Sequence, residues 1–285
     1  MENKKVVGIG EVLWDVFPEG KQLGGAPANF VWHTMQMGAQ GTVVSAVWND
    51  QYGQEILDIL QERKLEKGIV MNDKPTGTVE VTLKEGIPEY IIHEQVSWDF
   101  IDLNDYAVEV LTKADAVCFG SLARRSEYSR AAIDRAVEMT PDGCLKVFDV
   151  NLRQHYYGQK DIEYSLAQSD VFKLNDEELM VMKKFWDLPV DDIEACQKML
   201  SQFHLQMVVL TSGDQRSVLV TSHQVSEMQT PKVRVRDTVG AGDAFTAAVT
   251  MGILEKRSLQ KIHQEAVEVA AFVCTKTGAM PELDG

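Results

Sequence analysis

The chain has 285 residues, 45% of them hydrophobic, with 28 Lys and Arg against 43 Asp and Glu and a formal net charge of −15. That length is enough for one large α/β domain with a substantial core. So acidic a balance excludes a nucleic-acid backbone reader, though it leaves room for a local pocket for a small anion. No run approaches the ~18 apolar residues of a membrane helix, and four scattered cysteines without a C-x-x-C pair argue against disulfides and zinc.

The opening MENKKVVGIG has no signal-peptide pattern, so a reduced, cytoplasmic protein is expected. Residues 4–9 form a short β-branched run, predicted to be a buried strand, and 12–17 a second strand interrupted by Asp15. Residues 28–37 read as a helix stopped by Gly38, 42–47 as a strand, and 52–64 as a helix. Farther on, strands are predicted over 116–119, 145–149, 171–174 and 207–211, with helices over 126–139, 176–185 and 192–203 between them. This alternation predicts crossover units and a mostly parallel sheet. Two long helices, broken near Arg257-Ser258, are predicted over 241–275.

The stretch 76–93 departs from that rhythm. Runs at 78–83 and 90–93 flank Lys84-Glu85-Gly86-Ile87-Pro88, where Gly and Pro mark a hairpin. Such an insertion serves as a lid, as an oligomer contact, or as a surface decoration. No repeat or linker divides the chain, so one domain with a small β appendage is expected.

Two common phosphate motifs fail. Gly8-Ile9-Gly10 follows a strand, but Leu13 stands where G-x-G-x-x-G needs its third glycine. Gly20 to Gly25 has P-loop spacing, but Ala26 and Pro27 replace the Lys and Ser/Thr. A Rossmann dehydrogenase and a P-loop enzyme are both disfavoured.

Asp237-Thr238-Val239-Gly240-Ala241-Gly242-Asp243 is different. It precedes a strongly helical stretch, and its small residues let a ligand approach the backbone. The helix N-terminus offers unpaired N–H groups and partial positive charge, a natural anion site. Asp243 falls in the first turn, where a carboxylate suits phosphoryl transfer to a hydroxyl; it also suits simple dipole stabilisation. Asn175-Asp176-Glu177-Glu178 reads as a capping box, Asn29 as a helix cap, Asp15 as a solvated edge residue and Thr211-Ser212-Gly213 as a turn.

D-T-x-G-A-G-D resembles the signature of the ribokinase-like (PfkB) carbohydrate kinases, and Gly24-Gly25-Ala26-Pro27-Ala28-Asn29 resembles that family's sugar-binding segment in its fructokinase form. The resemblance runs from Val7-Gly8-Ile9-Gly10-Glu11 to Gly278-Ala279-Met280-Pro281. It implies a ribokinase-like α/β fold, a mostly parallel central sheet flanked by helices, with a β lid built from about 11–18 and 75–100. It implies that Asp243 is the catalytic base and that the backbone of Gly240, Ala241 and Gly242 stabilises the transferred phosphoryl group. Asp15, Gly25 and Asn29 would orient the sugar, and Arg153 of Asp149-Val150-Asn151-Leu152-Arg153 would clamp a phosphate or substrate oxygen. Asn175, Thr211 and Gly213 would line the nucleotide, with Glu178 holding Mg²⁺ through water. Backbone carbonyls of Asp237, Val239 and Gly278 match a K⁺ site, although Glu282 stands where some relatives have a serine ligand.

The resemblance thus implies ATP and Mg²⁺ as cofactors and a free sugar as acceptor, fructose first, with ribose, 2-keto-3-deoxygluconate or a nucleoside as alternatives. The segment Glu94-Gln95-Val96-Ser97-Trp98-Asp99 matches no substrate pattern, and a silent sugar or nucleotide sensor is the reading from another class. No nucleic-acid or membrane partner is expected. The hairpin's apolar face suggests a homodimer through the lid.

Overall fold

The computed structural model describes residues 3–18, 20–84 and 87–283; side chains of 81–84 and 87–90 are outside the description, and with them most of the hairpin face expected to be apolar. The chain runs β1 (Lys5–Ile9), β2 (Leu13–Phe17), β3 (Gly20–Gly24), α1 (Ala26–Gln36), β4 (Gln40–Trp48), α2 (Gln51–Glu62), β5 (Ile69–Asn72), β6 (Thr78–Lys84) and β7 (Ile87–Ile92). It continues through α3 (Asp105–Leu111), β8 (Ala116–Gly120), α4 (Glu127–Glu138), β9 (Leu145–Asp149), α5 (Gln159–Ala167), β10 (Val171–Asn175), α6 (Asp176–Trp186) and α7 (Asp192–Gln202). It closes with β11 (Met207–Ser212), β12 (Arg216–Val220), β13 (Val225–Gln229), α8 (Ala241–Leu254) and α9 (Leu259–Cys274).

Among the described residues, nine strands form one sheet in the order β13-β12-β11-β10-β9-β8-β1-β4-β5. Its strands pair in parallel from β5 to β11, and the last two turn antiparallel. This is the ribokinase-like α/β fold that the resemblance implied. The parallel strands are buried on both faces, which is why they read as unbroken apolar runs. The antiparallel hairpin β12–β13 is not among the predicted elements: its outer strand alternates exposed and buried residues, a weaker signal than a core strand.

Each face of the sheet has its own core. Helices α3 to α7 pack over Phe119, Phe148 and Phe172, neighbours in register on β8, β9 and β10 whose rings stack 5.2 and 5.7 Å apart. Burying each such ring contributes roughly 1.5–3 kcal/mol. Helices α1, α2, α8 and α9 cover the other face. Residues 244–252 of α8 are all buried, as expected of a helix apolar on every side. Successive strand residues point to opposite faces, so Asp149 and Lys173, each next to one of those phenylalanines, point toward α8.

A second sheet, β3-β2-β6-β7, stands apart from the first. Its β2, β6 and β7 lie within the segments 11–18 and 75–100 expected to build the lid, and β3 is a strand that was not among the predicted elements. Residues beyond 93 leave this sheet: the short 3₁₀ turn Ser97–Phe100 drops Trp98, 1% exposed, into the main core. The chain builds β4 and β5 on one side of β1, then β8 to β11 on the other. The reversal at β1/β8 opens a crevice at the strands' C-terminal ends, where sheets of this kind bind ligands.

Candidate active site

The two sequence motifs meet in that crevice. Asn29 Nδ2 donates to Asp243 Oδ2 at 2.7 Å, across 214 residues of sequence. Asn29 is not the helix cap that its residue type suggested: α1 begins at Ala26, its cap is Gly25, and Asn29 sits inside the first turns, 3% exposed. The second amide atom, Asn29 Oδ1, is buried with no hydrogen-bond partner among the described residues.

Gly240 caps α8 in the left-handed region, φ 80°. A Cβ there would lie 2.6 Å from the Ala279 carbonyl oxygen, so only glycine allows this close seating. The same carbonyl pairs with His33 Nε2 at 2.9 Å. Burial pushes the His33 imidazole down to about 4, so the ring is neutral and Nε2 is its donor. Ala241, Gly242 and Asp243 follow as the first turn of α8. Burial, reinforced by the nearby Asp149 carboxylate, pushes Asp243 up to about 6 against the pull of Asn29, Lys173 and Arg153.

Below that turn lies a cluster that sequence reasoning missed in part. Lys173 and Asp149 are cross-strand partners on β10 and β9, with Nζ 3.2 Å from Oδ1. Thr246 Oγ1 donates to Asp149 Oδ2 at 2.9 Å. A Cβ on Gly242 would come within 3.2 Å of Lys173 Nζ, so the ammonium sits directly against the start of α8. Burial alone would push the Lys173 ammonium down, but Asp149, Glu178 and Asp243 outweigh it and hold it above its ordinary value. A lysine in the otherwise apolar run Val171-Phe172-Lys173-Leu174 was the available signal.

On the other wall, Asp15 lies on β2 against Gly24, where a Cβ would meet its Oδ2 at 2.5 Å. Asp15 is half-buried rather than a solvated edge residue, and burial lifts it to about 6 despite Arg153. Gly25 takes φ 120°, and a Cβ there would strike the Glu11 carbonyl oxygen at 2.4 Å. Glu11 is a further missed residue: it is 3% exposed and burial pushes it up to about 7. Its Oε1 accepts from Ala26 N at 3.3 Å, while Oε2 has no partner among the described residues.

Asn175 and Glu178 form the capping box in full, Oδ1 accepting from Glu178 N at 2.8 Å and Glu178 Oε2 accepting from Asn175 N at 2.7 Å. Glu178 Oε1 also accepts from Leu152 N at 2.8 Å, and burial, opposed by Lys173, raises this carboxyl. Thr211 is the register partner of Asn175 on β11, so both stand at the same sheet edge. Gly213 is an exposed turn residue beyond it. Arg153 is exposed, its Nη1 donating to the neighbouring Leu152 oxygen at 3.0 Å. No direct contact joins it to Asp243 or Asp15; its charge reaches both through space. Asp237 ties two backbone segments together, accepting from Val239 N at 3.1 Å and from Gly278 N at 3.0 Å.

A family model described as pfkB family carbohydrate kinase matches residues 9–284. The chain belongs to that family. It is 30% identical to an uncharacterized sugar kinase of Pyrococcus horikoshii, over 96% of this chain and 91% of that protein. It is 29% identical to Fructokinase-1 of Oryza sativa subsp. japonica, over 98% and 94%. The crystal structure of the Pyrococcus horikoshii protein in complex with ATP superposes with a TM-score of 0.81, at 27% identity over 96% of this chain and 94% of that one. A fructokinase with bound ATP from Xylella fastidiosa superposes at 0.84 over 97% and 94%, and at 21% identity that likeness concerns the fold.

This carbohydrate kinase holds no group of three or more His, Cys, Asp and Glu arranged as a metal cage among the described residues. Mg²⁺ keeps most of its waters and takes oxygens from a bound phosphate, so the protein need supply only a carboxylate facing those waters. Each Glu178 oxygen accepts one backbone N–H and has a further lone pair for a metal-bound water. The donor set therefore fits a water-mediated Mg²⁺ site. No helix among the described residues is long and apolar enough to cross a membrane.

Proposed function

We propose that the protein transfers the γ-phosphate of ATP to a primary hydroxyl of a free sugar, with fructose, giving fructose 6-phosphate, as its first substrate. The observation that carries this reading is the bond between Asn29 and Asp243, which holds the sugar segment against the phosphoryl-transfer segment. Asn29 Nδ2 keeps the Asp243 carboxylate aimed, and the unpartnered Asn29 Oδ1 is an acceptor for a sugar hydroxyl. Asp15 supplies a second acceptor, and Gly25 brings backbone close to the ring. Arg153 carries charge toward the acceptor's side of the site. Fructokinase relatives and the segment Gly24 to Asn29 support fructose over the other sugars.

Asp243 takes the hydroxyl proton as the sugar oxygen forms its bond to phosphorus and ADP leaves. With a carboxyl near 6, far below a sugar hydroxyl, that proton moves late, in the transition state. Backbone N–H groups of Gly240, Ala241 and Gly242, with the Lys173 ammonium behind them, stabilise charge on the transferred group. Mg²⁺, when bound, neutralises phosphate charge; Glu178 and Asn175 would hold it through water. Thr211 and Gly213 line the nucleotide. Asp237 fixes the Val239 and Gly278 segments whose carbonyls would bind K⁺.

An ATP-consumption screen across fructose, ribose, 2-keto-3-deoxygluconate, nucleosides and sugar phosphates tests the reading. Fructose should give the highest kcat/KM. Consumption with none of them would leave a sugar or nucleotide sensor in its place. We also infer a homodimer through the small sheet, supported by Ile91, 47% exposed on β7; sedimentation showing a monomer at micromolar concentration would refute it. A cytoplasmic setting is supported by four unpaired cysteines.

A further inference from the structure

Helix α1 turns two residues of the site to one side. Asn29 and His33 are four positions apart and so share a helix face. Asn29 holds the Asp243 carboxylate, and His33 Nε2 donates to the Ala279 carbonyl at 2.9 Å. Ala279 is the residue against which Gly240 seats: a Cβ on Gly240 would lie 2.6, 2.7 and 2.8 Å from its carbonyl oxygen, Cα and Cβ. One face of α1 therefore grips the first turn of α8 directly, and also the segment that packs against the α8 cap. Neighbouring residues fix that segment farther along. Trp32 Nε1 donates to the Pro281 carbonyl at 3.0 Å, and Gln36 Nε2 donates to the same oxygen at 3.4 Å. The Arg63 guanidinium backs the Trp32 ring, 4.3 Å from its centre.

Packing does not explain His33. It is fully buried, and its Nδ1 has no hydrogen-bond partner among the described residues. An orphaned buried polar atom costs at least as much as one neutral hydrogen bond contributes, so the imidazole gives the core no advantage over an apolar side chain. What it supplies is a donor at one fixed point on the Ala279 peptide. Gly240 needs such a fixture. It holds φ 80° without a side chain of its own, and glycine passes easily to other conformations, so its neighbours must hold it. If the Ala279 peptide turns, the wall confining Gly240 turns with it, and the N–H groups of Gly240, Ala241 and Gly242 lose their common aim.

We propose that His33 is a positioning residue for phosphoryl transfer, acting through the Ala279 carbonyl and Gly240 on the backbone cradle at the start of α8. The inference rests on the role given above to Gly240, Ala241 and Gly242. The His33 side chain makes one hydrogen bond, to Ala279, and none to the residues assigned to the sugar. Its effect therefore falls on kcat rather than on the sugar KM.

Two variants separate positioning from packing. His33→Gln and His33→Met have side chains of like length that suit a helix, but only glutamine keeps an N–H donor. With ATP and fructose, H33M should lose at least about tenfold in kcat, short of the roughly 10²–10³ that removal of a direct donor costs, with the sugar KM within about twofold. H33Q should keep most of the wild-type kcat, although its buried amide oxygen makes it the less stable of the two in thermal unfolding. Activity and Tm then rank the variants in opposite order, which a packing role does not produce. H33M with wild-type kcat, or a kcat that follows Tm across the pair, would overturn the proposal. Gly240→Ala tests the cradle itself. If G240A has wild-type kcat, the role given to the cradle falls and the inference with it; if G240A is impaired and H33M is not, the inference alone falls. A second measurement needs neither a sugar nor a folded variant. Wild-type protein labelled with ¹⁵N-histidine is titrated by magnetic resonance with Mg²⁺ and a nonhydrolysable ATP analogue, and separately with Mg²⁺ and ADP. The His33 Nε2–H signal should shift more with the analogue than with ADP, which lacks the phosphate that the cradle holds. A signal that moves equally with both, or with neither, would refute the role.

Discussion

The start of α8 and the small sheet face each other across one crevice, yet they are built by opposite means. The α8 start is anchored from beneath by polar groups in the core: the charged Lys173 and Asp149, only 7% and 5% exposed, on central strands, and the Thr246 hydroxyl that donates to Asp149. The small sheet holds its half-buried carboxylate, Asp15, by backbone proximity to Gly24 at its margin. The first arrangement tolerates little change without loss of the fold. The second allows the acceptor to vary while the chemistry stays the same.

Substitutions on the two sides should therefore fail differently. Asp243→Asn should leave folding intact and lower turnover by roughly 10²–10⁴ through loss of the base; near wild-type turnover in steady-state assays would remove Asp243 from that role. Lys173→Met leaves Asp149 buried without its cation, a loss of about 3–5 kcal/mol by chemical denaturation. A companion Asp149→Asn change should recover part of it, and failure to do so would mean that the pair is not the support described. Asp15→Asn should raise the sugar KM about 10- to 100-fold with little change in stability or in ATP KM. A stability loss like that of Lys173→Met would erase the contrast between the two regions.

The pH dependence gives the smallest effect and a distinctive sign. Asp243 and Asp15 both lie near 6 in the folded protein, above ordinary aspartate. Below that pH the base is protonated, so kcat/KM should drop about tenfold per unit as pH falls under 6. Between about 4 and 6 the folded chain holds protons that the unfolded chain releases, so the contribution of these two groups to stability grows as pH falls. Activity and this share of stability should move in opposite directions, and Asp243→Asn should flatten its part of both. A kcat/KM unchanged between pH 7 and 5 would contradict the burial that raises these carboxyls.

Apart from the four-residue edge strand β5, the parallel strands and the long helices were legible because each is a compact periodic or apolar run. β3 was not: its Gly24 is there because a side chain would strike the Asp15 carboxylate, not for strand preference. Asn29 and Asp243 were legible as separate motifs, and their bond was not, because nothing local encodes a partner 214 residues away. Lys173 and Asp149 were hidden differently. Each is a single polar residue in a buried strand, and its meaning appears only when parallel register sets the two side by side.

That long-range bond also has a consequence in time. β1 and α1 are made early, but the carboxylate that Asn29 holds arrives with α8, and the carbonyl that seats α8 arrives later still, at Ala279. Pairings this distant in sequence form late and slowly. A growing chain on the ribosome therefore carries Gly24 to Asn29 long before the α8 start can seat against them. The Asn29–Asp243 bond and the seat of Gly240 against Ala279 form only after residues 243 and 279 have been made.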